Sequence, residues 1–153
     1  MLTKRYVCHA IFLRMTENNV HEHRLTISEV LEWMVADGLV ERDVADVLKA
    51  ERRLHGGKVH PLIVLADQKW HTINPPVRLL TLEVLTEWLA QKTCLDYLHI
   101  DPLKIDFTGV AEVMSSAYAA RFGILPVQVT TREVVVATAE PFLRAWTEDL
   151  KPI

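Results

Sequence analysis

The chain has 153 residues, half of them hydrophobic and 24% charged, with a formal net charge of -3. That length suits a single domain burying roughly 70% of its unfolded surface, and the hydrophobic share argues against intrinsic disorder. The slight acidic balance gives no general attraction to phosphate backbones, which sets nucleic acid aside as a partner class.

In chain order, residues 1–23 are expected to form an N-terminal arm, in which 6–13 is bulky and apolar enough to pair as a strand. From Thr26 the pattern turns helical: Ile27, Val30, Leu31, Met34 and Val35 recur at the i, i+3, i+4, i+7, i+8 spacing of one helix face. Thr26 is the expected N-cap and Gly38 the stop. Val40, Val44, Val47, Leu48 and Leu54 continue with helical spacing, while Glu41, Arg42, Asp43, Asp46, Lys49 and Arg53 supply a wet face. A helical hairpin subdomain over 24–57 follows. Gly56-Gly57 breaks it, and 58–80, with Pro61, Asn74, Pro75 and Pro76, reads as a Pro-rich linker.

A second unit over 81–153 opens with a helix capped by Thr81, with Leu82, Leu85, Trp88 and Leu89 on one face, ending near Lys92. A short strand over 97–100 stops at Asp101-Pro102, since proline cannot donate to a ladder. The next helix, capped by Thr108 or Asp106, carries Val110, Val113, Met114, Ala117 and Tyr118 and closes at Gly123. Strands over 125–129 and 134–137 form a hairpin, and 142–150 reads as a last helix. The fold class is therefore α+β: a helical hairpin subdomain, a linker, and a small helix-strand-helix-hairpin unit.

Reactive chemistry finds little support. Cys8 and Cys94 are far apart among apolar neighbours and read as reduced thiols, which favours the cytoplasm. Cys8-His9 are sequence neighbours, an arrangement that rarely places a base against a nucleophile. His21-Glu22-His23 lacks the spacing that fixes zinc geometry, and Asp96, Asp101 and Asp106 suit turn and cap roles better than paired acid–base work. Lys104, between two of those aspartates, reads as a solvated ion pair without function. No metal, cofactor or catalytic residue is expected in this chain. No apolar run reaches the ~20 residues of a membrane-spanning helix.

Read together, the second unit resembles the N-terminal domain of general secretion pathway protein E and the related pilus-assembly and pilus-retraction-type ATPases of type II secretion and type IV pilus systems. The resemblance is carried by the strand and acidic turn over 97–101, the hairpin entry Ile124-Leu125-Pro126-Val127, and the exit Val136-Ala137-Thr138-Ala139-Glu140-Pro141. Upstream, Met34-Val35-Ala36-Asp37-Gly38-Leu39-Val40 is similar to the helical motif of the same family. In some members that motif opens with Arg-Leu-Gly and binds cyclic di-GMP. Here Glu29, Val30 and Leu31 stand at those positions, so a carboxylate replaces the cation. Arg24-Leu25 lies too far upstream to substitute in the same helix register.

The resemblance implies a non-catalytic domain that docks an ATPase onto the cytoplasmic part of an inner-membrane platform protein, with membrane association only through that partner. The sequence contains no Gly-x-x-x-x-Gly-Lys-Ser/Thr loop, so ATP and magnesium are expected only in further domains of the parent. Family members continue into catalytic domains, and the chain ending at Ile153 reads as an excised fragment. The expected partner-binding residues are Ile27, Val30, Leu31, Trp33, Met34 and Val35, with Trp33 beside the stripe. The plainer reading of the same stripe, and the preferred one, is that it packs against the second helix.

Overall fold

The structure, a computed structural model, describes residues 2–7, 22–54, 59–101, 103, 105–130 and 133–149. Readings made for residues 8–13, His21, Gly56, Gly57, Pro102, Lys104 and Leu150 lie outside the described residues, as do the side chains of Arg53 and Leu54. The elements are β1 (Leu2–Val7), α1 (Ile27–Ala36), α2 (Arg42–Leu54), α3 (Pro61–Asp67), α4 (Leu82–Lys92), β2 (Asp96–Tyr97), α5 (Phe107–Val113), α6 (Ser116–Phe122), β3 (Ile124–Val129), β4 (Glu133–Thr138) and α7 (Trp146–Asp149). They fall into two compact units, Leu25–Leu89 and Met1–Arg24 with Ala90–Ile153. The class is α+β, as expected. The boundaries expected at 57/58 and 80/81 fall inside the first of these units.

In the helical unit, Thr26 Oγ1 accepts the Glu29 amide at 3.2 Å, satisfying one of the orphan donors at the start of α1. Gly38 closes the helix at φ +69. Its N–H donates to Val35 O at 3.1 Å and the Leu39 N–H donates to Met34 O at 2.8 Å, a paired closure that requires a left-handed residue between them. Asn74 Nδ2 donates to the Gly38 carbonyl at 3.2 Å. Between these caps the α1 stripe packs against α2 and α3.

The expected linker is instead a folded part of this unit. Pro61 was counted as a breaker, but its fixed φ and missing N–H suit the first position of a helix, and it starts α3. His60 Nδ1 accepts the Leu62 amide at 3.3 Å, and Pro61, Leu62, Val64 and Leu65 are buried. The segment beyond closes on itself: the Thr72 N–H donates to Arg78 O, the Arg78 N–H donates back to Thr72 Oγ1, both at 2.9 Å, and the Leu80 N–H reaches Trp70 O at 2.8 Å. The bond between Pro75 and Pro76 inside this loop is cis. Thr81 Oγ1 then accepts the Val84 amide at 3.3 Å at the head of α4. Leu85 and Leu89 are buried as expected, whereas Leu82, placed on the same face by its spacing, is exposed, because it sits in the first turn, ahead of the packed part of the helix.

The second unit is built on an antiparallel sheet of order β2-β1-β4-β3. The expected arm supplies a central strand, since β1 pairs along its whole length with β4 from Leu2↔Thr138 to Val7↔Glu133. The strand expected over 97–100 is shorter and earlier, with Thr3↔Asp96 and Leu2↔Tyr97 as its pairs. Pro126 occupies β3, an edge strand, where a missing amide costs no outer ladder bond, and the register shifts beside it between Pro126 and Gln128.

The helix expected from 108 to 122 is two. Asp106 Oδ1 caps α5 by accepting the Thr108 and Gly109 amides at 3.1 and 3.2 Å, while Ser115 Oγ caps α6 by accepting the Tyr118 amide at 3.2 Å. A hydroxyl that offers backbone N–H groups an alternative partner breaks a helix. Extended backbone at Met114 turns that side chain into a core with Ile124, Val136 and Trp146. The last helix is also shorter than 142–150, beginning only at Trp146.

Candidate functional surface

The six residues singled out on α1 divide cleanly. Val30, Leu31 and Met34 are 0% exposed and form the centre of the helical unit, so no partner touches them while the unit stays folded. Ile27, Trp33 and Val35 flank that stripe and are half-buried. Of the six, only these three present any surface in the folded unit. A stripe of this kind reports that something covers it, and here α2 and α3 do.

The apolar residues left facing solvent lie elsewhere in this unit. On α2 the buried positions are Ala45 and Leu48, so the stripe read from the sequence is turned: Val44 and Val47 remain 38% and 61% exposed. Ile63 on α3 and Leu82 on α4 are exposed too. In the sheet unit, Leu103 and Phe107 are exposed beside the start of α5, where Asp101 Oδ1 accepts the Leu103 amide at 3.1 Å. Single exposed apolar residues are ordinary, but a helix whose apolar stripe is wider than the core it covers is not explained by folding alone.

Charges and polar groups brace the unit beside this surface. Glu32 of α1 binds Lys49 of α2 and lies 3.6 Å from Arg42, and Lys49 also faces Asp46 at 4.0 Å. The Lys49 hydrogen bond, followed by its charge, holds the Glu32 carboxyl below its ordinary range. Trp88 Nε1 donates to Asp37 Oδ2 at 2.8 Å, tying α4 to the C-cap of α1. Trp88 is thus half-buried with a polar task, not a full member of the buried face.

In the sheet unit, residues read as incidental carry structural work. Glu22 Oε1 accepts the Arg144 and Ala145 amides at 2.7 and 2.6 Å, and these bonds, with Ala145 contributing most, lower its carboxyl pKa. His23 stacks on Phe142 with ring centroids 4.9 Å apart. Arg24 donates to the Arg121 carbonyl at 2.8 Å and lies 3.7 Å from the Glu140 carboxylate. Arg24, the cation that precedes the Arg-Leu-Gly positions in sequence, is therefore engaged by a carboxylate, while Val30 and Leu31, two of the three substituted positions, are buried. Asp101 and Asp106 hold turn and cap amides, and Asp96 lies in β2. None of these contacts could be read from periodicity, because each joins residues roughly 100 positions apart or depends on a local turn.

No helix among the described residues is long and apolar enough to cross a membrane. No solved structure matches the chain. It is similar to the type IV pilus assembly ATPase TfpB of Acinetobacter baylyi, with 35% identity over 127 residues, which cover 79% of this chain and 21% of that protein. The chain thus spans about a fifth of the length of this relative. Residues 94–153 match the MshEN domain, and this segment includes the strand, hairpin and Glu-Pro exit that resemble the N-terminal domains of type II secretion and type IV pilus ATPases.

Proposed function

We propose that this domain is the non-catalytic interaction module of a type IV pilus assembly or type II secretion ATPase, and that it docks its parent onto the cytoplasmic part of an inner-membrane platform protein. ATP hydrolysis would belong to further domains of the parent, and residence would be cytoplasmic and peripheral to the membrane through that partner. The observation that carries the reading is the unburied half of the α2 stripe, Val44 and Val47, on the helical unit. Apolar burial contributes roughly 25 cal/mol per Å² before association entropy is subtracted, so a few such residues at the centre of an interface matter more than its rim.

The test is a titration of the intact parent ATPase with the cytoplasmic domain of the platform protein. Val44→Glu with Val47→Glu is expected to weaken binding tenfold or more while the thermal transition stays in place. Undiminished binding by the double variant would remove α2 from the interface, and absence of binding by the unaltered ATPase would overturn the docking role. Calorimetry with cyclic di-GMP separates a sensing role from docking: the carboxylate of Glu29 and the engaged Arg24 lead us to expect no saturable heat.

A further inference from the structure

The chain passes between its compact units twice, at Arg24–Leu25 and at Leu89–Ala90, the second time inside α4. The first crossing is preceded by three residues that belong to no helix or strand, yet each is fastened by a different interaction to one short stretch of the sheet unit. Glu22 takes the Arg144 and Ala145 amides, His23 stacks on Phe142, and Arg24 faces Glu140 while also donating to the Arg121 carbonyl outside that stretch. The order is antiparallel: 22, 23 and 24 meet 144–145, 142 and 140.

The receiving stretch is stiff. The Glu140 carboxylate is nearly buried, and the residue's own amide donates to Thr138 Oγ1 at 3.0 Å, while that hydroxyl donates to the Glu140 carbonyl at 3.1 Å. The Leu143 N–H donates to Glu140 O at 3.2 Å, and Trp146, 1% exposed, donates its indole N–H to Leu143 O at 2.8 Å. The strap is the opposite. Its holds are side chains near the surface, with Arg24 61% exposed, and such contacts are weak singly. They share one backbone, so the entropy of ordering three residues is spent once for all of them, and losing one loosens the rest.

From this geometry we propose that Glu22–Arg24 is a latch whose contacts to the 140–145 stretch open and close together while the sheet stays folded. Opening frees three residues, which add up to about 10 Å of reach to the first crossing. The latch therefore sets how much slack the chain has where it enters α1, and it does so whether or not the helical unit docks to a partner.

Amide hydrogen exchange on the full chain tests this. Arg24→Ala leaves the Glu22 acceptor intact, yet the Arg144 and Ala145 amides are expected to exchange about tenfold faster, with β4 amides unchanged. Wild-type protection at Arg144 and Ala145 would show that the contacts act independently and overturn the latch. Equal acceleration in β4 would also overturn it, by making the strap inseparable from the sheet. Should Arg24→Ala fail to fold, Arg24→Lys keeps a charge opposite Glu140 without the fork that also reaches Arg121, and an intermediate acceleration is expected. A double-mutant cycle between Glu22→Ala and Arg24→Ala, which share no partner among the described residues, is expected to show coupling in denaturation, and strict additivity counts against a common opening.

Discussion

The two helices of the N-terminal hairpin carry apolar stripes of similar appearance in sequence and meet different fates. The α1 stripe is consumed, with Val30, Leu31 and Met34 fully buried, whereas α2 buries Ala45 and Leu48 and leaves Val44 and Val47 in solvent. Periodicity identifies a face that would gain by burial, but it does not say what supplies the cover. Two neighbours, α2 and α3, cover α1. The difference teaches that exposed apolar surface is found where a stripe exceeds its cover, and on the helical hairpin that is α2.

The largest expected effect breaks the comparison on the α1 side. Leu31→Ala or Met34→Ala is expected to destabilise the helical unit by about 2–5 kcal/mol, because a fully buried large side chain is replaced by a cavity. Urea denaturation followed by tryptophan fluorescence checks it, and a cost under half a kcal/mol would mean that the stripe is not core. Next comes Gly38→Ala, expected to cost about 1–2 kcal/mol. Its φ of +69 disfavours any side chain, and the new Cβ would lie 2.9 Å from Asn74 Nδ2.

The same comparison shows what the residues disclosed in advance. Thr26, Gly38 and Thr81 mark their helix ends because caps are decided locally, by one side chain and the next few amides. The hairpin of β3 and β4, with its Pro126 entry, is likewise a short-range feature. What stayed hidden depends on distance in sequence. The place of β1 between β2 and β4 rests on partners more than 90 residues away, and the side chain that fastens the backbone just ahead of α7 is Glu22, 122 and 123 residues from the amides it accepts. Pro61 misled for a different reason: the same proline that breaks a helix interior starts one at its first turn, and only its neighbours decide. On the helical unit, the half-burial of Trp33 and Val35 and the exposure of Val44 and Val47 are not legible in spacing, because helical periodicity is the same for a covered residue and for one at the edge of the cover.

On the α2 side the expected stability effect is small. Val47→Glu alone is expected to shift the unfolding midpoint by less than about half a kcal/mol, since an exposed residue loses little on substitution. A large loss of stability would mean that Val47 is covered in solution, sharpening the comparison by showing that α2 has a second neighbour.

The smallest effect separates the two units by pH and salt. Glu22 in the sheet unit and Glu32 in the helical unit both have carboxyl groups held below their ordinary value of 4.5, the first mainly by the Ala145 and Arg144 amides, the second by Lys49. A lowered folded-state pKa means that the unfolded chain takes up protons first as the solution is acidified. Each group therefore contributes its stabilisation in full above about pH 4.5 and loses it as pH falls from there through the lowered folded value. Denaturation midpoints between pH 7 and pH 3 are expected to decline less steeply in Glu22→Gln and in Glu32→Gln than in the unaltered chain. Salt distinguishes the causes. The Glu32–Lys49 pair is open to solvent on its Glu32 side, which is 52% exposed, and is screened by added chloride, whereas Glu22 is held by short hydrogen bonds from backbone amides, which respond much less. Raising ionic strength at neutral pH should thus erase most of the difference between Glu32→Gln and the unaltered chain and leave that of Glu22→Gln. An equal response of both variants to salt would mean that Glu22 acts through the Arg144 charge, the smallest of its four causes, in place of the amides.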